Sequence, residues 1–296
     1  MKHSLKITSI LLLMFVVTQF IGLYVVSYYS SGDSDLPFGM ETPEVEKESD
    51  YLYKILPQLI VAFIIAISIL ILLTKFDLSS VLRLWFFGVV VLSLGLTLVA
   101  VVPYFRTITW LALVVALPLS FLKIYRRNLV VHNLTELFIY PGIAAVFVSI
   151  LNIWTVILIL IIISFYDMWA VWRSGIMQKM AKYQMDKVGV LAGFFIPHAS
   201  KGVRSKIKKM SKKELKKSKI KVNVAILGGG DVVFPIIAAG VVMNLWGILP
   251  AISVIVGATL GLFTLFVLAK KKKFYPAMPF ISAGIFFGMA VGYFLA

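Results

Sequence analysis

Apolar positions in this chain neither alternate nor form one-sided stripes; they come in long runs broken by few polar residues. A helix rises about 1.5 Å per residue, so about 20 apolar residues cross the roughly 30 Å hydrocarbon layer of a bilayer. Nine runs approach or exceed that length, at about 5–27, 53–73, 82–102, 105–122, 130–150, 152–172, 222–246, 250–269 and 275–295. The pattern predicts an all-α, polytopic membrane protein with nine transmembrane helices. The first run is too long for the apolar part of a signal peptide and has no small-residue cleavage site after it, so it reads as a retained helix. The junctions around Pro103 and around Leu151–Asn152 are so short that they must join helical hairpins. Three segments result: a six-helix part (1–172), a hydrophilic loop (173–221) and a three-helix part (222–296).

Composition narrows the class. Of 296 residues, 60% are hydrophobic and 14% charged, and the mean hydropathy is +0.98. A soluble domain carries about 25% charged residues, which excludes an ordinary soluble enzyme. A disordered basic tail would be poor in aliphatic residues and is excluded too. With no cysteine, the chain has no disulfide scaffold, cysteine nucleophile or Cys-ligated zinc.

The net charge of +16 carries the orientation. Lysine and arginine collect on the cytosolic side of membrane proteins. With the N-terminus in the cytosol, 26 of the 29 basic residues fall inside, and only Lys47, Lys54 and Arg106 fall outside. The C-terminus is then extracytosolic. The run from Lys201 to Lys217 lacks the stacking aromatics or module that nucleic-acid binding needs. It reads as a cytosolic loop near anionic headgroups, so the expected surroundings are the lipid bilayer of a cell membrane and no nucleic acid. The tryptophans lie mostly near helix ends and read as an interfacial belt.

Few ionisable residues remain within the apolar runs. Glu136, four residues after His132 and close to Arg126–Arg127, reads as a snorkelling or structural pair at the interface. Asp167 and Asp231 are different. A carboxylate at membrane depth costs about 2.5–3.5 kcal/mol, and nothing structural requires two. Asp167 lies six residues before Arg173, about 9 Å along a helix. Asp231 lies ten residues after Lys221, about 15 Å if that stretch is helical. Both therefore sit in the cytosolic half or near the midplane, on consecutive helices that can face each other. Two facing carboxyls in a dry site cannot both stay charged cheaply, so they hold one proton between them. Such a pair suits an aspartic protease: the ionised member takes a proton from water, and the protonated member donates to the peptide carbonyl. It also suits a proton- or cation-coupled transporter or channel, and the carboxylates taken alone favour transport or ion binding over proteolysis.

Their neighbours add detail. Gly228, Gly229 and Gly230 strip side chains from the approach to Asp231, and Pro235 leaves the Asp231 carbonyl without its helical donor. Pro276-Ala277-Met278-Pro279 disfavours regular helix at the start of the last run, leaving free backbone groups that must face protein or a wet cavity.

Tyr166-Asp167, Gly228-Gly229-Gly230-Asp231 and Pro276-Ala277-Met278-Pro279 resemble, in this order, the YD, GxGD and PAL motifs of the presenilin and signal peptide peptidase family. Nine helices with a hydrophilic loop between the sixth and seventh match as well, so the resemblance spans essentially the whole chain. Its compactness is similar to the archaeal presenilin-like branch, and the charge split favours the presenilin orientation over the opposite one of signal peptide peptidases. The resemblance implies intramembrane aspartyl proteolysis, with Asp167 and Asp231 catalytic. It implies that Tyr166, Gly228, Gly230, Pro276, Ala277 and Met278 shape the substrate site, with no cofactor and no metal. Met278 departs from the family's leucine at that position.

Other intramembrane proteases fit less well. A site-2-type metalloprotease needs HExxH, which is absent, and a rhomboid needs a deep histidine, whereas the histidines are His3, His132 and His198. Prepilin peptidases share GxGD but lack the ordered YD and PAL elements. The expected partner is a transmembrane protein or peptide, unwound near Gly228–Gly230 and paired as a strand with backbone near Pro276–Pro279. A homo-oligomer is compatible with all of this.

Overall fold

The computed structural model describes residues 5–31, 36–40, 48–126, 128–174, 192–198, 223–269 and 275–296. Most of the basic loop expected at 173–221 lies outside these described residues, as does the basic run 270–274. Nine apolar helices are present among the described residues. They are α1 (Leu5–Ser30), α2 (Glu48–Lys75), α3 (Ser79–Val101), α4 (Thr109–Tyr125), α5 (Leu129–Val148), α6 (Ile153–Trp169), α7 (Gly229–Trp246), α8 (Ile248–Leu268) and α9 (Met278–Leu295). Eight are long and apolar enough to cross a membrane, while α4 has 17 residues.

The hairpin expected around Pro103 forms, with α3 packed on α4, whereas α5 and α6, joined at Leu151–Asn152, diverge: α6 packs on α7 and α9 rather than along α5. Asn152 begins α6 with a capping box, accepting the Thr155 N–H while Thr155 Oγ1 accepts the Asn152 N–H. That satisfies two of the orphan groups every helix start carries.

Burial singles out α7 as the central element. In its most apolar window 61% of residues are buried, against 6% for α2. Ile236, Ala238, Ala239 and Val242 are fully enclosed, and α1, α5, α6, α8 and α9 all pack on this helix. α1 is part of the core: Phe15 and Val25 are inaccessible. The α8–α9 contact is the most intimate. Cβ atoms built on Gly257 and Gly261 would strike the Gly284 and Phe280 carbonyls, the close backbone approach that small residues permit between apolar helices. This contact places the start of α9 against the bundle.

One expectation requires correction and a second narrows. The chain is not purely α-helical: β1 (Gly193–His198) and β2 (Asn223–Gly228) form an antiparallel two-stranded sheet, Phe195 opposite Ile226. The helix expected over 222–246 therefore begins only at Gly229, and β2 precedes it. Its residues behave as a strand, with Ala225 and Leu227 buried and Val224 and Ile226 exposed. Glu136, read with His132 as a snorkelling or structural pair, is 1% exposed with His132 Nε2 at 3.4 Å, which removes the snorkelling alternative and leaves the structural one. Its Oε1 meets Lys123 Nζ at 2.5 Å, a buried ion pair between α5 and α4.

Candidate functional site

The sheet and the central helix meet where the candidate chemistry lies. β2 ends at Gly228 in extended backbone, and α7 begins at Gly229 with Asp231 in its first turn. A carboxylate in a first turn faces unpaired N–H groups and the positive end of the helix dipole. The Gly228 backbone lies against the Asp231 carboxyl. A Cβ at Gly228 would lie 3.1 Å from Asp231 Oδ2, so glycine here lets the strand end press against the acid. α1 reaches in as well: the Gln19 amide Nε2 donates to the Val232 carbonyl at 3.0 Å.

Asp167 lies near the C-terminal end of α6 and is 8% exposed. Its carboxyl is held by the start of α9, where Met278 N–H donates to Oδ2 at 3.0 Å. Ser164 and Ser282 hydroxyls meet at 3.0 Å one turn away and tie α6 to α9. Each aspartate is thus held by backbone at a helix start, Asp231 by that of α7 and Asp167 by that of α9. The helices that carry the two carboxyls, α6 and α7, pack on each other.

This changes the picture of the Pro276–Pro279 segment. The backbone groups expected to be free there are engaged: Met278 N–H holds Asp167, and the Ala277 carbonyl accepts the Phe280 and Ile281 N–H groups. Pro279, in the first turn, is compatible with helix because its missing N–H is one of the orphans anyway.

The remaining sequence-derived residues are placed as follows. Pro276 is buried, Ala277 half-buried and Met278 buried, all beside Asp167. Tyr166 is 49% exposed, its ring beside Trp169 with centroids 6.2 Å apart. Gly230 is exposed, and a Cβ there would meet only the Phe234 ring, at 3.7 Å. The tightest of the three glycines is Gly229, named in the glycine run but not among the expected substrate-site residues: a Cβ there would lie 2.9 Å from Tyr140 Cε1. The three-glycine run was the available signal; Tyr140 gave none.

A polytopic bundle that brings two aspartates from neighbouring helices together, each under a backbone cradle, belongs to the class of intramembrane aspartyl proteases. The profile described as "Signal-peptide peptidase, presenilin aspartyl protease" matches residues 12–296, and the chain belongs to that family. Among solved structures, a presenilin family intramembrane aspartate protease in two crystal forms shares the fold. One form has a TM-score of 0.59 at 19% identity, covering 97% of both chains; the other has 0.60 at 17%, with the same coverage. A comparison with curated proteins gives no match. The chain is an aspartic protease of the membrane, and family membership favours this over the transport reading.

Proposed function

We propose that Asp167 and Asp231 are the catalytic pair, sharing one proton. The ionised carboxyl takes a proton from a water as the water attacks the scissile carbonyl, and the protonated one donates to the carbonyl oxygen. The observation that carries this reading is the backbone against each acid: Met278 N–H donates to Asp167, and the Gly228 backbone packs against Asp231. These contacts fix where each carboxyl points before substrate arrives, which is how preorganised sites gain rate.

The substrate in this reading is a transmembrane protein or peptide, cleaved within or near its helix, in a cell membrane that the chain crosses nine times from a cytosolic N-terminus. Gly228 and Gly230 leave room at the carboxyl, while Pro276, Ala277 and Met278 line the Asp167 side and Tyr166 the outer approach. The docking edge is β2 rather than Pro276–Pro279. Gly193 and Phe195 direct their backbone groups away from β2, toward α5. By antiparallel alternation, their partners Gly228 and Ile226, and Val224 two residues on, direct theirs to the opposite edge. A substrate strand added there runs toward Asp231.

Asp167→Asn and Asp231→Asn should each abolish cleavage of a helical membrane substrate by the purified, partner-free chain. Wild-type cleavage by either variant would remove that residue from the pair. A parent that never cleaves, with ion flux lost in both variants, would restore transport.

A further inference from the structure

The sheet beside Asp231 is held by a polar group that the reaction above does not use. Asn133 of α5 treats β1 as a neighbouring strand would: its Nδ2 donates to the Phe195 carbonyl at 2.8 Å, and its Oδ1 accepts the Phe195 N–H at 2.8 Å. One residue earlier, His132 Nε2 lies 2.8 Å from the Gly193 carbonyl, and its ring stacks on Phe195 with centroids 4.6 Å apart. A carbonyl accepts only, so Nε2 carries the proton, and Nδ1 is left to accept from Lys123 Nζ at 3.3 Å. Lys123 also pairs with Glu136, whose Oε1 lies 3.4 Å from the Gly193 nitrogen. The Lys123 and Glu136 side chains are 3% and 1% exposed.

Helix packing does not call for this group. α5 already contacts α1, α3 and α7, with Ala144, Ala145 and Val148 buried. Asn133 and His132 point instead at the backbone of a strand, while Glu136 pairs with Lys123 of α4. An isolated two-stranded sheet is marginal and needs a third partner. β2 joins the bundle through a glycine, Gly228, and β1 is its lateral support. Whatever holds β1 therefore holds the edge on which a substrate strand would lie.

We propose that Asn133, backed by Lys123, His132 and Glu136, positions β1 and through it β2, and so selects which peptide bond reaches the two carboxyls. This rests on the protease reading and on strand addition to β2. A substrate strand that slips by one residue turns every side chain to the other face, so the smallest slip that preserves facing is two residues.

The test uses the full chain purified in detergent. Cleavage products of one helical substrate are mapped by mass spectrometry, and amide exchange over 192–198 and 223–228 is followed alongside. Asn133→Ala should speed exchange of the β1 amides about tenfold and add products two residues from the main one. Asn133→Asp keeps the acceptor for Phe195 N–H and loses the donor, so it should fall between wild type and alanine in both readouts. Unchanged exchange in Asn133→Ala would overturn the clamp. Faster exchange with wild-type cleavage positions would overturn the positioning role and leave a structural one. A wild-type chain that cleaves nothing would overturn the protease reading itself, an outcome distinct from both.

Discussion

Gly229→Ala is the most discriminating single change near the site. Its added methyl would lie 2.9 Å from Tyr140 Cε1, 3.0 Å from Tyr140 Oη and 3.3 Å from Ala192 Cβ. Carbon atoms pack best at about 3.5–4.0 Å, so several tenths of an ångström must be found. Tyr140 has little freedom to supply them, being 2% exposed with its ring edge-on to Phe194 at 5.7 Å. Overpacking of this kind costs about 1–3 kcal/mol. Alanine's helix preference returns less than its full value of about 1 kcal/mol, because Gly229 opens the helix. We expect a net loss of about 1–2 kcal/mol in unfolding of the detergent-solubilised chain. Activity should suffer more. The strain enters two residues before Asp231, and a displacement of about 1 Å at a reacting group costs about a hundredfold in rate. Tyr140→Leu removes both clashing atoms, so the double variant should lose less than the two single losses combined, with a coupling of about 0.5–3 kcal/mol. Gly230→Ala is the stability control. Its methyl meets only Phe234 at 3.7 Å, and stability should stay within about 0.5 kcal/mol. Wild-type stability and cleavage in Gly229→Ala, or strict additivity with Tyr140→Leu, would refute the packing account.

Three further outcomes follow from the same geometry. Cleavage against pH should be bell-shaped, falling in acid as the pair takes a second proton and in alkali as it loses its last; a rate that stays flat into alkali would exclude a shared proton. Lys123→Met strands the buried Glu136 carboxylate and should cost about 3–5 kcal/mol in thermal unfolding. Lys123→Met with Glu136→Leu should recover part of that, because an apolar pair can replace a buried ion pair; a double variant worse than the single would contradict this. Met278→Leu, a nearly volume-conserving swap at a buried position, should cost less than about 1.5 kcal/mol and preserve cleavage, with any change confined to substrate preference. Abolished cleavage in a folded Met278→Leu chain would mean that the side chain, and not only its N–H, holds Asp167.

What could be read in the sequence and what could not divides along one line. The helices were legible because an apolar run of that length has few alternatives, and the aspartates were legible because charge is rare there. The strand β2 was not. Val222 to Leu227 is a short apolar run that periodicity cannot assign to strand or helix, and its partner β1 lies in the hydrophilic segment, thirty-five positions back at Gly193↔Gly228. Glu136 was legible only in part for a similar reason: spacing paired it with His132, but its partner Lys123 sits thirteen positions earlier, across a turn. The site itself shows the principle most clearly. Its supports are main-chain groups of Gly228 and Met278, and nearly every residue owns such groups. A sequence can display only the residues that let the backbone arrive there, glycine by omitting a side chain and proline by setting where a helix begins. Those are the residues that were legible around both acids, while the hydrogen bonds they permit, spanning 111 positions between Asp167 and Met278, became visible only in three dimensions.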